Sequence, residues 1–196
     1  MDKVNLSKAI TAIANGEIIV YPTDTLYGLG ADIYNIDAVR KVFEVKKRPM
    51  DKPLSVAVSN IDELKKISLI NNKILGLVET FLPGKLTLIL IKKKCVPDIV
   101  TGGHDKVAIR IPNCEIALEL LSKFGPLTAT SANIHGVKTP GIISDIRMQF
   151  KKKDIAVYLD IGRLEGQPST IVDMTGKKIK IVREGSITKK NILDAI

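Results

Sequence analysis

The chain has 196 residues, 45% of them hydrophobic and 26% charged, which suits one soluble domain with a sizeable core. No apolar run reaches the length of a membrane-spanning helix, and the start MDKVNLSKAI lacks the layout of a secretion signal, so a cytoplasmic protein without a membrane role is expected. Thirty Lys and Arg against twenty-one Asp and Glu give a net charge of +9, which favours an anionic partner such as a nucleotide or a nucleic acid. Cys95, Cys114, His104 and His135 stand far apart, which speaks against a disulfide framework, a zinc site or a Cys/His nucleophile.

Asn5 is placed to cap a first helix with Leu6, Ile10 and Ile13 on one face, ended by Gly16. A short buried strand, Glu17 to Tyr21, stops at Pro22, and a helix from about Ile36 to Lys47 turns Val39, Val42 and Phe43 inward. Leu54 to Ser59 reads as strand, followed by helices near Ile61 to Ile67 and Asn71 to Leu82, the latter closed by Pro83-Gly84. Further strands are expected at Lys85 to Lys92, Lys106 to Ile111, Pro126 to Ser131, Ile155 to Ile161, Ser169 to Met174 and Lys178 to Arg183. Helices near Cys114 to Phe124, Ile143 to Lys152 and Ile187 to Ala195 are interspersed, the last capped by Ser186. Several strands follow one another directly, so the expected architecture is α/β, a mixed, twisted sheet flanked by helices within a single domain over 1–196.

Three segments carry chemistry. In KVFEVKKRPMDKPLSV, Lys46 and Lys47 close a helix, where cations complement its dipole. Arg48 and Lys52 each precede a proline, which biases both backbones towards extended geometry. Four extended residues span at most about 14 Å, a rail along which a triphosphate fits. In YPTDTLYGLGAD, two threonines, a carboxylate and two glycines leave a strand, but no third glycine completes a dinucleotide fingerprint and no phosphate-loop motif occurs. In PLTATSANIHG, Thr130, Ser131 and Asn133 offer polar groups at a strand end, equally compatible with a hydrogen-bonded turn. Arg110 lies within the apolar strand VAIRIP, on the face opposite Val107 and Ile109. GQPSTIVD adds Ser169 and Thr170, and KIVREG adds Arg183.

Taken in order, PTDTLYGLGAD, KKRPMDKPLSV, TGGHDKVAIRIP, ATSANIHG, GQPSTIVD and VREG resemble the YrdC-like family of threonylcarbamoyl-AMP synthases from about residue 8 onward. The resemblance implies a twisted open α/β sheet with a basic groove. It implies a nucleotidyltransferase that joins L-threonine, bicarbonate and ATP, with Mg²⁺, into threonylcarbamoyl-AMP and pyrophosphate for tRNA modification, a separate threonylcarbamoyl transferase completing the work. Motif by motif, Lys46, Arg48 and Lys52 are the expected catalytic residues at the ATP phosphates. Thr25, Arg110, Thr130, Ser131, Ser169 and Thr170 are the expected threonine pocket, and Asn133 and Arg183 join Arg48 and Lys52 at the nucleotide; no metal ligand is assigned to the protein. The sequence departs from the family pattern at Thr130, where many relatives carry Pro, and at KTPGI. Two alternatives remain: a double-stranded RNA or tRNA binding module without catalysis, and carbamoyl transfer in hydrogenase maturation, whose zinc-binding cysteine pairs this chain lacks.

Overall fold

A computed structural model describes residues 3–150 and 154–195. Two mixed sheets, rather than one continuous sheet, form the frame. The smaller has the order β7-β2-β1-β8 and the larger the order β10-β9-β4-β5-β3-β6. In chain order the elements are α1 (Lys3–Ala14), β1 (Ile19–Tyr21), β2 (Gly28–Gly30), α2 (Ile36–Lys46), β3 (Ser55–Ala57), α3 (Ile61–Ile67), α4 (Asn72–Phe81) and β4 (Leu86–Ile91). They continue with α5 (Asp98–Thr101), β5 (Lys106–Arg110), α6 (Glu115–Phe124), β6 (Leu127–Thr128), β7 (Thr130–Ser131), α7 (Ile143–Gln149), β8 (Val157–Tyr158), β9 (Thr170–Asp173), β10 (Lys180–Arg183) and α8 (Lys189–Asp194).

Helix starts follow local chemistry. Asn35, Asn60 and Asn71 each accept from a backbone N–H of the first turn, and Thr188 forms a capping box with Asn191. The cap of α8 is thus Thr188 rather than Ser186, and Asn5 lies inside α1 rather than at its start. α7 ends at Gln149, and Lys151 and Lys152, expected at its end, lie outside the described residues. α2 ends with Lys47 in the left-handed conformation at φ 50°, and the next N–H, of Arg48, bonds back to Phe43 O at 2.9 Å.

β2 consists of Gly28, Leu29 and Gly30, which carry little pattern of their own. Its glycines are explained by the neighbouring strand: a Cβ at Gly30 would come within 3.0 Å of the Tyr21 ring. Tyr21 in turn is fully buried and donates its hydroxyl to Thr128 O at 3.0 Å, burial holding that phenol well above its ordinary pKa.

The expected strand Pro126–Ser131 is in fact two short strands. Residues 127–128 pair with β3 in the larger sheet, and residues 130–131 pair with β2 in the smaller one. Thr128 is the seam: its N–H donates to Ala31 O at 2.9 Å, its hydroxyl donates to Leu29 O at 2.9 Å, and it accepts from Ala31 N at 3.0 Å. Alternation in the larger sheet then sorts side chains between core and cleft. Leu86, Leu88, Leu90, Val107, Ile109, Val56 and Val172 enter the main core, while Thr87, Ile89, Ala108, Arg110 and Ile171 line a cleft. A second core cluster packs α1 and α6 through Leu6, Ala9, Ile13, Ala117, Leu120 and Leu121 against Ile19, Tyr21 and Leu127.

Among the described residues no helix is long and apolar enough to cross a membrane.

Thr128→Val keeps the shape of the seam but removes its hydroxyl, so it is expected to lower unfolding free energy by about 3 kcal/mol in urea titration. A loss under about 0.5 kcal/mol would show that the two sheets are not joined through this hydroxyl.

Candidate active site

The cleft encloses about 400 Å³ where the two sheets meet. Its floor is the outer face of the larger sheet, with Ser55, Ala108 and Ile89 aligned side by side across β3, β5 and β4. Its walls are the turn between β1 and β2, the 129–131 crossover, Arg48 with Pro53, Thr139, Pro168 and the edge strand β10. The lining mixes polar and apolar groups, as a site for a small polar molecule requires.

At one end Arg110, 6% exposed, forms an ion pair with Asp24 and donates from Nη1 to Thr25 Oγ1 at 3.0 Å. Both members of the pair are buried, where an ion pair must be well oriented to offset its lost hydration. Arg110 Nε and Asp24 Oδ2 are buried and have no hydrogen-bond partner among the described residues. The turn bearing Thr23 and Thr25 is covered by the loop before β9, so closely that a Cβ at Gly166 would lie 2.1 Å from Thr25 O. Tyr27 fastens the same loop, donating to Gly162 O at 2.7 Å and accepting from Ile161 N at 3.0 Å, and burial first pushes its pKa up to about 12.

Across β4 from Arg110 are Ser169 and Arg183. Arg183 donates to Ser169 O from Nε at 3.1 Å and from Nη2 at 2.8 Å, while Ser169 Oγ lies 2.8 Å from the buried Thr87 hydroxyl. Burial lowers the Arg183 pKa, with the Arg110 charge as the second cause. Thr170, 0% exposed, does not line the cleft. Its hydroxyl donates to Ile187 O at 2.6 Å and accepts from Gly185 N and Ile187 N, pinning the chain after β10.

The basic joint differs from an extended rail. Pro49 O accepts from Lys52 N at 3.1 Å, which closes a turn, and Arg48 donates to Lys52 O at 3.2 Å and Pro53 O at 2.9 Å. A proline before the turn tolerates this geometry, so the chain folds back and brings Arg48 to the cleft rim while Lys52 stays exposed. His135 stands near the same group: burial first, then the charges of Arg48, Lys52 and Lys46, hold its pKa below the usual value.

Lys46, 1% exposed, does not line the cleft. Its Nζ donates to Ser131 O, to Asn133 O at 2.8 Å and to Asn133 Oδ1 at 3.3 Å. Burial, then the Arg48 charge, pushes its pKa down to about 7, while three oxygen neighbours hold the ammonium in place. Asn133 is equally committed, its Nδ2 donating to Ile134 O and Val137 O. Together they fix the loop that carries Ser131.

Of the expected site residues, Thr25, Arg48, Arg110, Thr130, Ser131, Ser169 and Arg183 line the cleft, and Lys46, Lys52, Asn133 and Thr170 do not. The sequence marks Thr23 and Asp24 only as polar groups of the turn after β1, and Thr87 and Thr139 were not singled out. Thr87 does carry a signal, a hydroxyl on the Ile89 face of an otherwise apolar strand.

The family model Sua5_yciO_yrdC, described as telomere recombination, matches residues 11–185. A Methanocaldococcus jannaschii protein provisionally named threonylcarbamoyl-AMP synthase is 43% identical, the match covering 89% of this chain and 83% of that protein. The threonylcarbamoyl-AMP synthase of Pyrococcus abyssi is 37% identical over 92% of this chain but only 54% of its own length, so the present chain spans about half of that relative. The crystal structure of P. abyssi Sua5 complexed with L-threonine superposes with a TM-score of 0.94 at 34% identity, covering 100% of this chain and 58% of that one.

Lys46→Met should loosen the loop without unfolding the domain. Amide exchange at Asn133 and His135, whose N–H donates to Lys46 O, is expected to quicken on the order of tenfold while α1 is unchanged; unchanged protection would show that Lys46 does not hold the loop.

Proposed function

The chain belongs to the Sua5–YciO–YrdC family, and on that premise we propose that it makes L-threonylcarbamoyl-AMP and pyrophosphate from L-threonine, bicarbonate and ATP. The observation that supports this most is the buried Arg110–Asp24 pair, with Thr25, beside a cleft that Arg48 also lines. Arg110 suits the carboxylate of an amino acid, for which its planar fork is the matching donor. Arg48 and Lys52, with Arg183 on the edge strand β10, suit the phosphates and nucleotide.

The chemistry needs placement and charge rather than a covalent nucleophile. The threonine amine attacks bicarbonate carbon, forming a C–N bond and releasing water, which leaves a carbamate. A carbamate oxygen then attacks the α-phosphorus of ATP, and the bond to pyrophosphate breaks. Arg48 and Lys52 would stabilise negative charge as it moves onto the leaving phosphates. A divalent metal, proposed to be Mg²⁺, would enter with ATP as part of the substrate. The product would pass to a separate transferase acting on tRNA in the cytoplasm, with weak tRNA contact compatible with the +9 charge. The described unit is proposed to act as a single domain.

Pyrophosphate release from purified protein is expected to require threonine, bicarbonate and ATP together. Arg48→Ala should lower kcat/KM at least about a hundredfold, with less than about 1 kcal/mol change in stability. Pyrophosphate release indifferent to threonine, or an Arg48→Ala enzyme of full activity, would refute the assignment.

A further inference from the structure

Two cleft hydroxyls have their proton direction fixed by neighbouring groups. Thr23 Oγ1 lies 2.6 Å from Leu26 O, a carbonyl that only accepts, so the Thr23 proton points there. With that proton engaged, the 2.9 Å contact between the Thr23 and Thr25 hydroxyls is assigned to Thr25 as donor, which shares the Thr23 oxygen with the longer contacts from Thr25 N at 3.2 Å and Leu26 N at 3.3 Å. Thr25 Oγ1 also accepts from Arg110 Nη1, so its proton is spent and only a lone pair remains for the cleft.

Ser131 is in the same state for a different reason. Its hydroxyl donates to Asn133 Oδ1. That atom is an oxygen by its surroundings, because Lys46 Nζ also donates to it and Asn133 Nδ2 donates to two carbonyls. The Ser131 proton is thus committed to Asn133, and the hydroxyl of this cleft-lining residue can only accept from a ligand.

Resting on the functional reading above, we propose that Thr23, and Lys46 through Asn133, are positioning residues that turn Thr25 and Ser131 into acceptors, so that the pocket selects an amino acid by its N–H and O–H donors while Arg110 takes the carboxylate. One strong donor with two acceptors complements the zwitterion of a hydroxy amino acid. A ligand bringing an acceptor to Thr25 or Ser131 meets lone pair against lone pair. Lys46 and Asn133 lie behind Ser131, Thr23 stands beside Thr25 in the cleft wall, and Thr23 can be changed without altering any charge in the site.

The test is calorimetric binding of L-threonine, O-methyl-L-threonine and ATP to the whole chain. Thr23→Val releases the Thr25 proton and is expected to weaken L-threonine binding roughly ten- to a hundredfold, the effect of one hydrogen bond to a charged group, with ATP binding unchanged. Thr23→Ser, which keeps the hydroxyl, is expected to restore affinity to within about threefold. If O-methylation weakens binding to the wild type but not to Thr23→Val, the donor read by Thr25 is the ligand hydroxyl. If Thr23→Val weakens both ligands equally, that donor is the ammonium. Unchanged threonine affinity in Thr23→Val, or failure of Thr23→Ser to restore it, overturns the inference while leaving the functional reading intact. Wild-type protein that ignored L-threonine would overturn both.

Discussion

The structure depends on one crossover. Residues 127–131 belong to both sheets, pairing with β3 before Ala129 and with β2 after it. Ala129 itself donates to Ser55 O at 2.7 Å, so the backbone remains satisfied where the strand changes partners. Because Thr128 and Tyr21 are buried at this seam, the angle between the sheets is set by hydrogen bonds that water does not screen. The cleft is the consequence. Turning one strand from sheet to sheet leaves a concave space that neither sheet fills, walled by Thr130 and Ser131 and floored by β3, β4 and β5.

Polar groups in that space are arranged in two layers. Arg110, Thr23, Thr25, Thr87, Ser131, Ser169 and Arg183 line the cleft, and Asp24, Lys46 and Asn133 hold Arg110 and Ser131 from behind. Groups already hydrogen-bonded in one direction lose little freedom when a ligand arrives, which favours binding by preorganisation. The arrangement also explains why a buried lysine is tolerated: Lys46 exchanges water for three fixed oxygens, and in return ties α2 to a loop more than eighty residues away in sequence.

Much of the frame was legible in the sequence. The helices α2, α3, α4 and α6 announce themselves by apolar periodicity, and α3 falls on the expected Ile61–Ile67. The apolar strands β4 and β5 read equally well, as did the placement of Arg110 on the face opposite Val107 and Ile109. What escaped was decided by distant partners. β2 is a strand because Tyr21 covers its glycines, and the 127–131 segment divides because two different sheets offer it edges. Lys46 looks like an ordinary helix-end cation, since nothing local reveals that Ser131 and Asn133 will surround it. The proline-flanked joint misled for a related reason: each X-Pro pair favours extended backbone, yet the four residues together close a turn capped by the Arg48 guanidinium.

In the proposed function, Arg110 and Thr25 would hold an amino acid within reach of a nucleotide held by Arg48, Lys52 and Arg183. A crystal structure with L-threonine and a non-hydrolysable ATP analogue tests it most directly. The account predicts the amino-acid carboxylate on Arg110, a ligand donor on Thr25 Oγ1, and the phosphates beside Arg48 and Lys52. An amino acid bound away from Arg110, or phosphates lying outside the cleft, would contradict it.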